Sequence, residues 1–348
     1  MDTSLINFRG NCLESTISLL WRQWCSLGVS GHATPAAMNR LIDPEALILA
    51  TSSIGRYEPR LFDEAMDWLA KYGSLINLQR LKNLSEITKL GNANVVCAMA
   101  SWLAVRGKQP RWKVLANRPS DIVSPIQETL FLGIDGPKAK ESDDLFLAHG
   151  LERSPFQPRK MSRAPRPTLA PNLVLSLRAL IGNSARVEII LFLAGGAAAH
   201  AAEIARATGY APRTLQALLQ EMLLSGHLLS QEPIGQSKAK VRRGSNRRYH
   251  LKATDWAFLI AGQSFPQWTP WAAVFAFMQQ VITSIPQPNS KQKHPSIISS
   301  KLREALAEHG QALTAAGLLP SLNIRAELSG IELLQTLSER LPMMIDQL

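Results

Sequence analysis

Cysteine is nearly missing from this chain: Cys12, Cys25 and Cys97 are the only three in 348 residues. An odd, scattered set excludes a disulfide framework and offers no zinc-ligand spacing, so the expected compartment is the reducing cytoplasm. Long apolar runs are missing too. The longest apolar stretch, Val187 to Ala202, is broken by Glu188, His200 and the Gly195-Gly196 pair. A membrane span needs roughly 18 unbroken apolar residues, so no membrane partner is expected. The N-terminus carries Asp2 and Arg9 and lacks a basic start followed by an apolar core, which predicts no signal peptide. Catalytic signatures are also missing: there is no phosphate-binding glycine loop, GxSxG elbow or HExxH. His200, His227 and His250 fit no metal spacing. Asp63, Glu64 and Asp67 show no basic or histidine partner and read as a solvated helix face. No enzymatic activity, cofactor or metal is therefore expected.

Acid is what one region lacks most. Residues 151–252 hold 16 Lys and Arg against 5 Asp and Glu, and the rest of the chain holds 22 of each. The whole net charge of +11 thus sits in under a third of the sequence. A basic excess that is localised in this way is the footprint of a polyanion-binding domain.

The parts on either side read as helical. In residues 1–150, apolar residues recur at helical spacing from Leu13 to Leu27, and Asp43-Pro44-Glu45 marks a helix start. Further helices are expected from Pro59 to about Gly73, from Leu75 to Leu84 and from Asn94 to Val105. The last three form a weak echo of a helix-turn-helix, with Lys71, Arg80, Lys82 and Lys89 nearby, but this part is charge-balanced and reads as a packing or partner domain. Residues 151–172 form a basic, proline-rich linker with Arg153, Arg159, Lys160, Arg163 and Arg166, read either as a plain spacer or as an arm lying along phosphates. Residues 253–348 are helical again, with Phe265, Trp268, Trp271 and Phe275 as an aromatic cluster for a core or a dimer contact.

Residues 173–252 carry the strongest signal. Ser184 caps a helix bearing Val187, Ile190, Leu191 and Leu193, which Gly195-Gly196 ends. A short helix, Ala201 to Thr208, follows, then Gly209-Tyr210-Ala211 and a third helix from Pro212. Ala205, Gly209 and Leu215 stand at helix-turn-helix offsets: a small residue for close crossing, a glycine for positive φ, a leucine to fill the angle. On the third helix Leu215, Leu218, Leu219 and Met222 face inward. Arg213, Thr214, Gln216, Ala217 and Gln220 then face outward, where Arg suits guanine, Gln suits adenine and methyls suit thymine. Two short strands, 227–230 and 248–251, flank a loop with Lys238, Lys240, Arg242, Arg243, Arg247 and Arg248, and no acid lies between Pro233 and Lys252. A two-stranded ribbon with a basic tip is a wing.

This order of elements resembles the winged helix-turn-helix transcriptional regulators of the MarR and ArsR type. "IGNSARVEIILFLAGG" is similar to their first helix, "AAEIARATGYAPRTLQALLQEMLLSGHLL" to their helix-turn-helix and first wing strand, and "GSNRRYHL" to the returning strand. The resemblance spans about 70 residues and implies that the helix at 212–224 is the recognition helix. It also implies that the wing contacts the DNA backbone or minor groove, and that the protein is a homodimer. The large helical flanks depart from the small members of those families, and the domain lacks ArsR-type cysteine and histidine clusters. The expected fold is mainly α, with a central winged helix-turn-helix and a small β-hairpin wing. The expected function is a repressor that binds double-stranded DNA. The alternative is an autoregulating, antitoxin-like or defence-associated protein whose helical flanks bind a partner protein.

Overall fold

The computed structural model describes residues 2–31, 39–116, 127–133, 141–196, 198–231, 247–260, 265–287, 294–322 and 328–348. The chain is mainly helical. The first half carries α1 (Asp2–Ser26), α2 (Pro44–Ser53), α3 (Pro59–Tyr72), α4 (Leu78–Thr88) and α5 (Ala93–Val105), then β1 (Glu128–Thr129) and β2 (Leu151–Glu152). The middle runs α6 (Leu173–Ile181), α7 (Ala185–Ala194), β3 (Ala199–His200), α8 (Ala201–Thr208), α9 (Pro212–Leu223), β4 (Leu228–Gln231) and β5 (Arg248–Leu251). The end carries α10 (Trp271–Ser284), α11 (Pro295–Ala315) and α12 (Gly330–Asp346). No described helix is long and apolar enough to cross a membrane.

Two compact units divide the chain: residues 1–36, 43–164 and 270–348 form unit 1, and residues 37–42 and 165–269 form unit 2. The helical stretches before and after the middle, read from the sequence as separate flanks, therefore share one body. α12 packs along α1, and α10 packs on α2 and α11. The physical reason is burial: α1 offers Leu19, Leu20 and Trp24, α12 offers Leu337 and Leu341, and all five are shut from water only together with neighbouring helices.

In unit 1, Asp43 accepts from Ala46 N at 3.1 Å and caps α2, as the Asp-Pro-Glu signal predicts. Its carboxylate has a second task. Arg80, 1 % exposed, grips Asp43 through both terminal nitrogens (2.7 and 2.6 Å) and Glu45 through Nη1 (2.6 Å). Arg80 is thus consumed inside the fold and is not on the surface.

The acidic cluster on α3 is the clearest departure from expectation. Glu64 and Asp67 are buried, and the partners of all three acids come from the segment read as a linker. Arg153 pairs with Asp63 at 2.9 Å and Arg159 with Glu64 at 2.6 Å. Asp67 accepts from the backbone N–H of Lys160 and Ser162 and from the Ser162 hydroxyl at 2.7 Å. Burial pushes the Asp63 and Glu64 carboxyls above their ordinary values, and the two arginines oppose that push. Arg153 also lies over the rings of Phe131, Phe146 and Phe156 at 5.1–5.3 Å. Residues 153–166 have neither helix nor strand, yet the stretch up to Ala164 is a strap belonging to unit 1, not a free spacer. Gly28 permits its close approach: at φ 101° it accepts from Arg163 N at 2.8 Å, and a Cβ there would meet Arg163 O at 2.3 Å.

Unit 2 gathers residues far apart in sequence. Asn39, Leu41 and Ile42 bond to Gln267 and Pro171 through the backbone, and Leu41 enters the unit 2 core. The aromatic residues expected to cluster around residue 270 are divided between the two units. Trp268 meets Phe192 edge-on within unit 2, and Trp271 stacks on Phe275 within unit 1. The core of unit 2 joins α7 (Val187, Ile189, Leu191), α8 (Ile204, Ala205) and α9 (Leu215, Leu219, Met222) with Leu228 and Tyr249 of the sheet.

Candidate nucleic-acid interface

Each end of the three helices has a local cause. Ser184 Oγ accepts from Arg186 N at 3.3 Å and starts α7. Glu203 reaches back to His200 N at 2.7 Å and starts α8. Gly209, at φ 77°, ends α8 in the left-handed conformation, and Pro212 opens α9 two residues after Tyr210. These bounds follow the sequence signals closely.

The turn between α8 and α9 is fixed from beneath. The Tyr210 hydroxyl donates to Glu188 Oε2 at 3.0 Å, and Arg178 Nη2 donates to Glu188 Oε1 at 2.6 Å. Arg178 and Glu188 are 2 % and 1 % exposed, so this α6–α7–turn linkage lies wholly inside the unit.

The sheet is antiparallel in the order β3-β5-β4. Ala199 pairs with Tyr249, and Leu228 with Leu251, which aims Ala199, Leu228 and Tyr249 at the core. β3 has no sequence signature: two residues are too short for an alternation to show. At the base of the β4–β5 hairpin, His227 Nδ1 lies 2.8 Å from Asp255 Oδ2, and Lys252 Nζ lies 3.6 Å from Asp255 Oδ1. The hydrogen bond from His227 is the main cause holding the Asp255 carboxyl below its usual range. His200 and Arg248 are register partners, and His200 Nδ1 lies 3.3 Å from Arg247 O.

Arg213, Thr214, Gln216, Ala217 and Gln220 are all exposed on α9, opposite the buried Leu215, Leu219 and Met222. No side chain caps the start of this helix at Ala211, so first-turn N–H groups face outward. Glu221, the acid on the helix, is paired with Arg186. Glu188 and Glu203 are also engaged, so three acids of this region are taken up by local partners. Arg248 is exposed at the start of β5 and Arg247 is half-buried. Lys238, Lys240, Arg242 and Arg243 lie outside the described residues.

One residue beneath this face has no sequence signal for its role. Tyr249 is buried on β5, and its hydroxyl accepts from Gln220 Nε2 at 3.3 Å. No local pattern announces a bond across 29 positions.

Among the described residues, no group of three or more His, Cys, Asp and Glu side chains is placed to hold a metal ion. Comparison of the chain with protein-family models, with curated proteins and with solved structures finds no match.

Proposed function

We propose that unit 2 is a winged helix-turn-helix and that the protein is a transcriptional regulator of double-stranded DNA, a cytoplasmic repressor acting as a homodimer. One observation carries this reading. α9 presents Arg213, Thr214, Gln216, Ala217 and Gln220 on one exposed face, its acid is paired, and a β-hairpin stands beside it in the order helix, strand, helix, helix, strand, strand. That face offers donors, acceptors and methyl groups of the kinds that read base edges in a major groove. The loop between β4 and β5 adds cations for the phosphate backbone. Two of the five linker cations, Arg153 and Arg159, are paired in unit 1, so this reading does not count them among the phosphate contacts. Unit 1 is then the part that sets dimerisation or partner binding.

Selection of bound fragments from randomised and genomic duplexes by the full-length protein tests the reading. The expected result is a palindromic motif with half-sites about 10 base pairs apart. Affinity should fall about a thousandfold between roughly 50 and 200 mM salt if about six phosphates are neutralised. Absence of any enriched motif, with no salt-dependent retention of duplex, overturns it.

A further inference from the structure

Tyr249 is 2 % exposed, and its strand is the middle one of three. Ala199 on one side and Ser230 on the other fix its register, and its ring lies in the core of unit 2, which restricts where its hydroxyl can sit. That hydroxyl accepts from Nε2 of Gln220, an exposed residue on the outward side of α9.

The consequence concerns which end of the amide faces out. A free glutamine samples many rotamers and offers a donor or an acceptor with equal ease. With its nitrogen turned to the sheet, Gln220 leaves its carbonyl oxygen as the other corner of the amide. An acceptor at a base edge pairs with the exocyclic amino group of adenine or cytosine, and it repels the carbonyl edge of guanine or thymine. We propose that Tyr249 is a positioning residue, holding Gln220 so that it selects an amino group at one base position of the bound duplex. This rests on the DNA-binding reading of unit 2.

The test is selection from a randomised duplex pool with full-length wild type, Tyr249→Phe, Gln220→Glu and Gln220→Ala, each with its salt dependence. Wild type is expected to favour adenine or cytosine at one position. Tyr249→Phe, which keeps the ring and removes the hydroxyl, should lose that preference by about tenfold, with the other positions and the salt slope unchanged. Gln220→Glu, an acceptor only, should keep the preference, and Gln220→Ala should lose it. A merely structural tyrosine would weaken all positions together. A Tyr249→Phe motif identical to that of wild type overturns the inference and leaves the DNA-binding reading standing. If Tyr249→Phe does not fold, the Gln220 pair decides: identical motifs for Glu and Ala overturn it. Failure of wild type to retain any duplex overturns the DNA-binding reading and this inference with it.

Discussion

Tyr210 donates its hydroxyl to Glu188 Oε2 at 3.0 Å, which ties the turn between α8 and α9 to the middle of α7. The other oxygen of Glu188 is held by Arg178 at 2.6 and 3.1 Å. A buried carboxylate needs both a counter-charge and hydrogen bonds, and here the turn supplies one of the bonds. The orientation of α9 therefore depends on a buried side chain, Glu188.

Substituting Glu188 should be costly. Glu188→Leu leaves the Arg178 guanidinium buried without its carboxylate, and a loss of about 3–5 kcal/mol is expected from urea unfolding followed by the unit 2 tryptophans, Trp256 and Trp268. Tyr210→Phe removes one buried hydrogen bond and should cost about 1–3 kcal/mol. A Glu188→Leu variant as stable as wild type would remove this linkage from the account of α9.

Arg153 of the strap is a structural cation. Arg153 is 6 % exposed, pairs with Asp63 and lies over three phenyl rings. Arg153→Ala should lower stability by about 3 kcal/mol and leave duplex affinity and its salt slope untouched. A flatter salt slope in this variant would return the strap to the role of a DNA-binding arm.

Local signals were legible and long-range ones were not. Asp43-Pro44, Ser184, Gly209 and Pro212 act within a few residues of themselves, so they mark where α2, α7, α8 and α9 begin or end. The outward face of α9 followed from helical period alone, and all five of its expected residues are exposed. Arg80 finds Asp43 and Glu45 across 37 and 35 positions, and Arg159 finds Glu64 across 95. Such pairs carry no period or spacing, which is why the acids of α3 read as solvated. β3 and the 39–42 segment were hidden for the same reason: each is short and gains its partners only when distant strands and loops meet.

Helix and hairpin loop should separate in binding measurements. On the proposed reading, Arg213→Ala or Gln216→Ala removes a contact to a base edge, so each should cost about 1–3 kcal/mol at one base pair and leave the salt slope nearly unchanged. On the same reading, Arg242→Ala with Arg243→Ala removes phosphate contacts, so affinity should fall alike for all sequences and the slope should drop by about 2. Fluorescence anisotropy on matched and scrambled duplexes at several salt concentrations reads both. If neither variant differs from wild type, α9 and the hairpin loop are not the DNA surface.

Stability of unit 1 should fall on mild acidification, and His309 is a named cause. The side chain is 4 % exposed, packs against Phe277, and among the described residues its Nε2 has no hydrogen-bond partner. Burial holds its pKa below the ordinary histidine value near 6.5, with the Glu308 carboxylate 4.0 Å away opposing the shift. Burial lowers the pKa of His149 as well, and its Nε2 lies 2.8 Å from Ser101 Oγ. As pH falls from the unfolded value toward the folded one, the unfolded chain takes up protons that the folded chain refuses. The stabilisation is therefore complete above the ordinary value and is lost as pH drops through that window. Urea midpoints at about pH 8, 7, 6 and 5 should decline below about 6.5, and less steeply in His309→Leu, which fills the site without a titrating group. An equal decline in both proteins would assign the pH dependence to other groups.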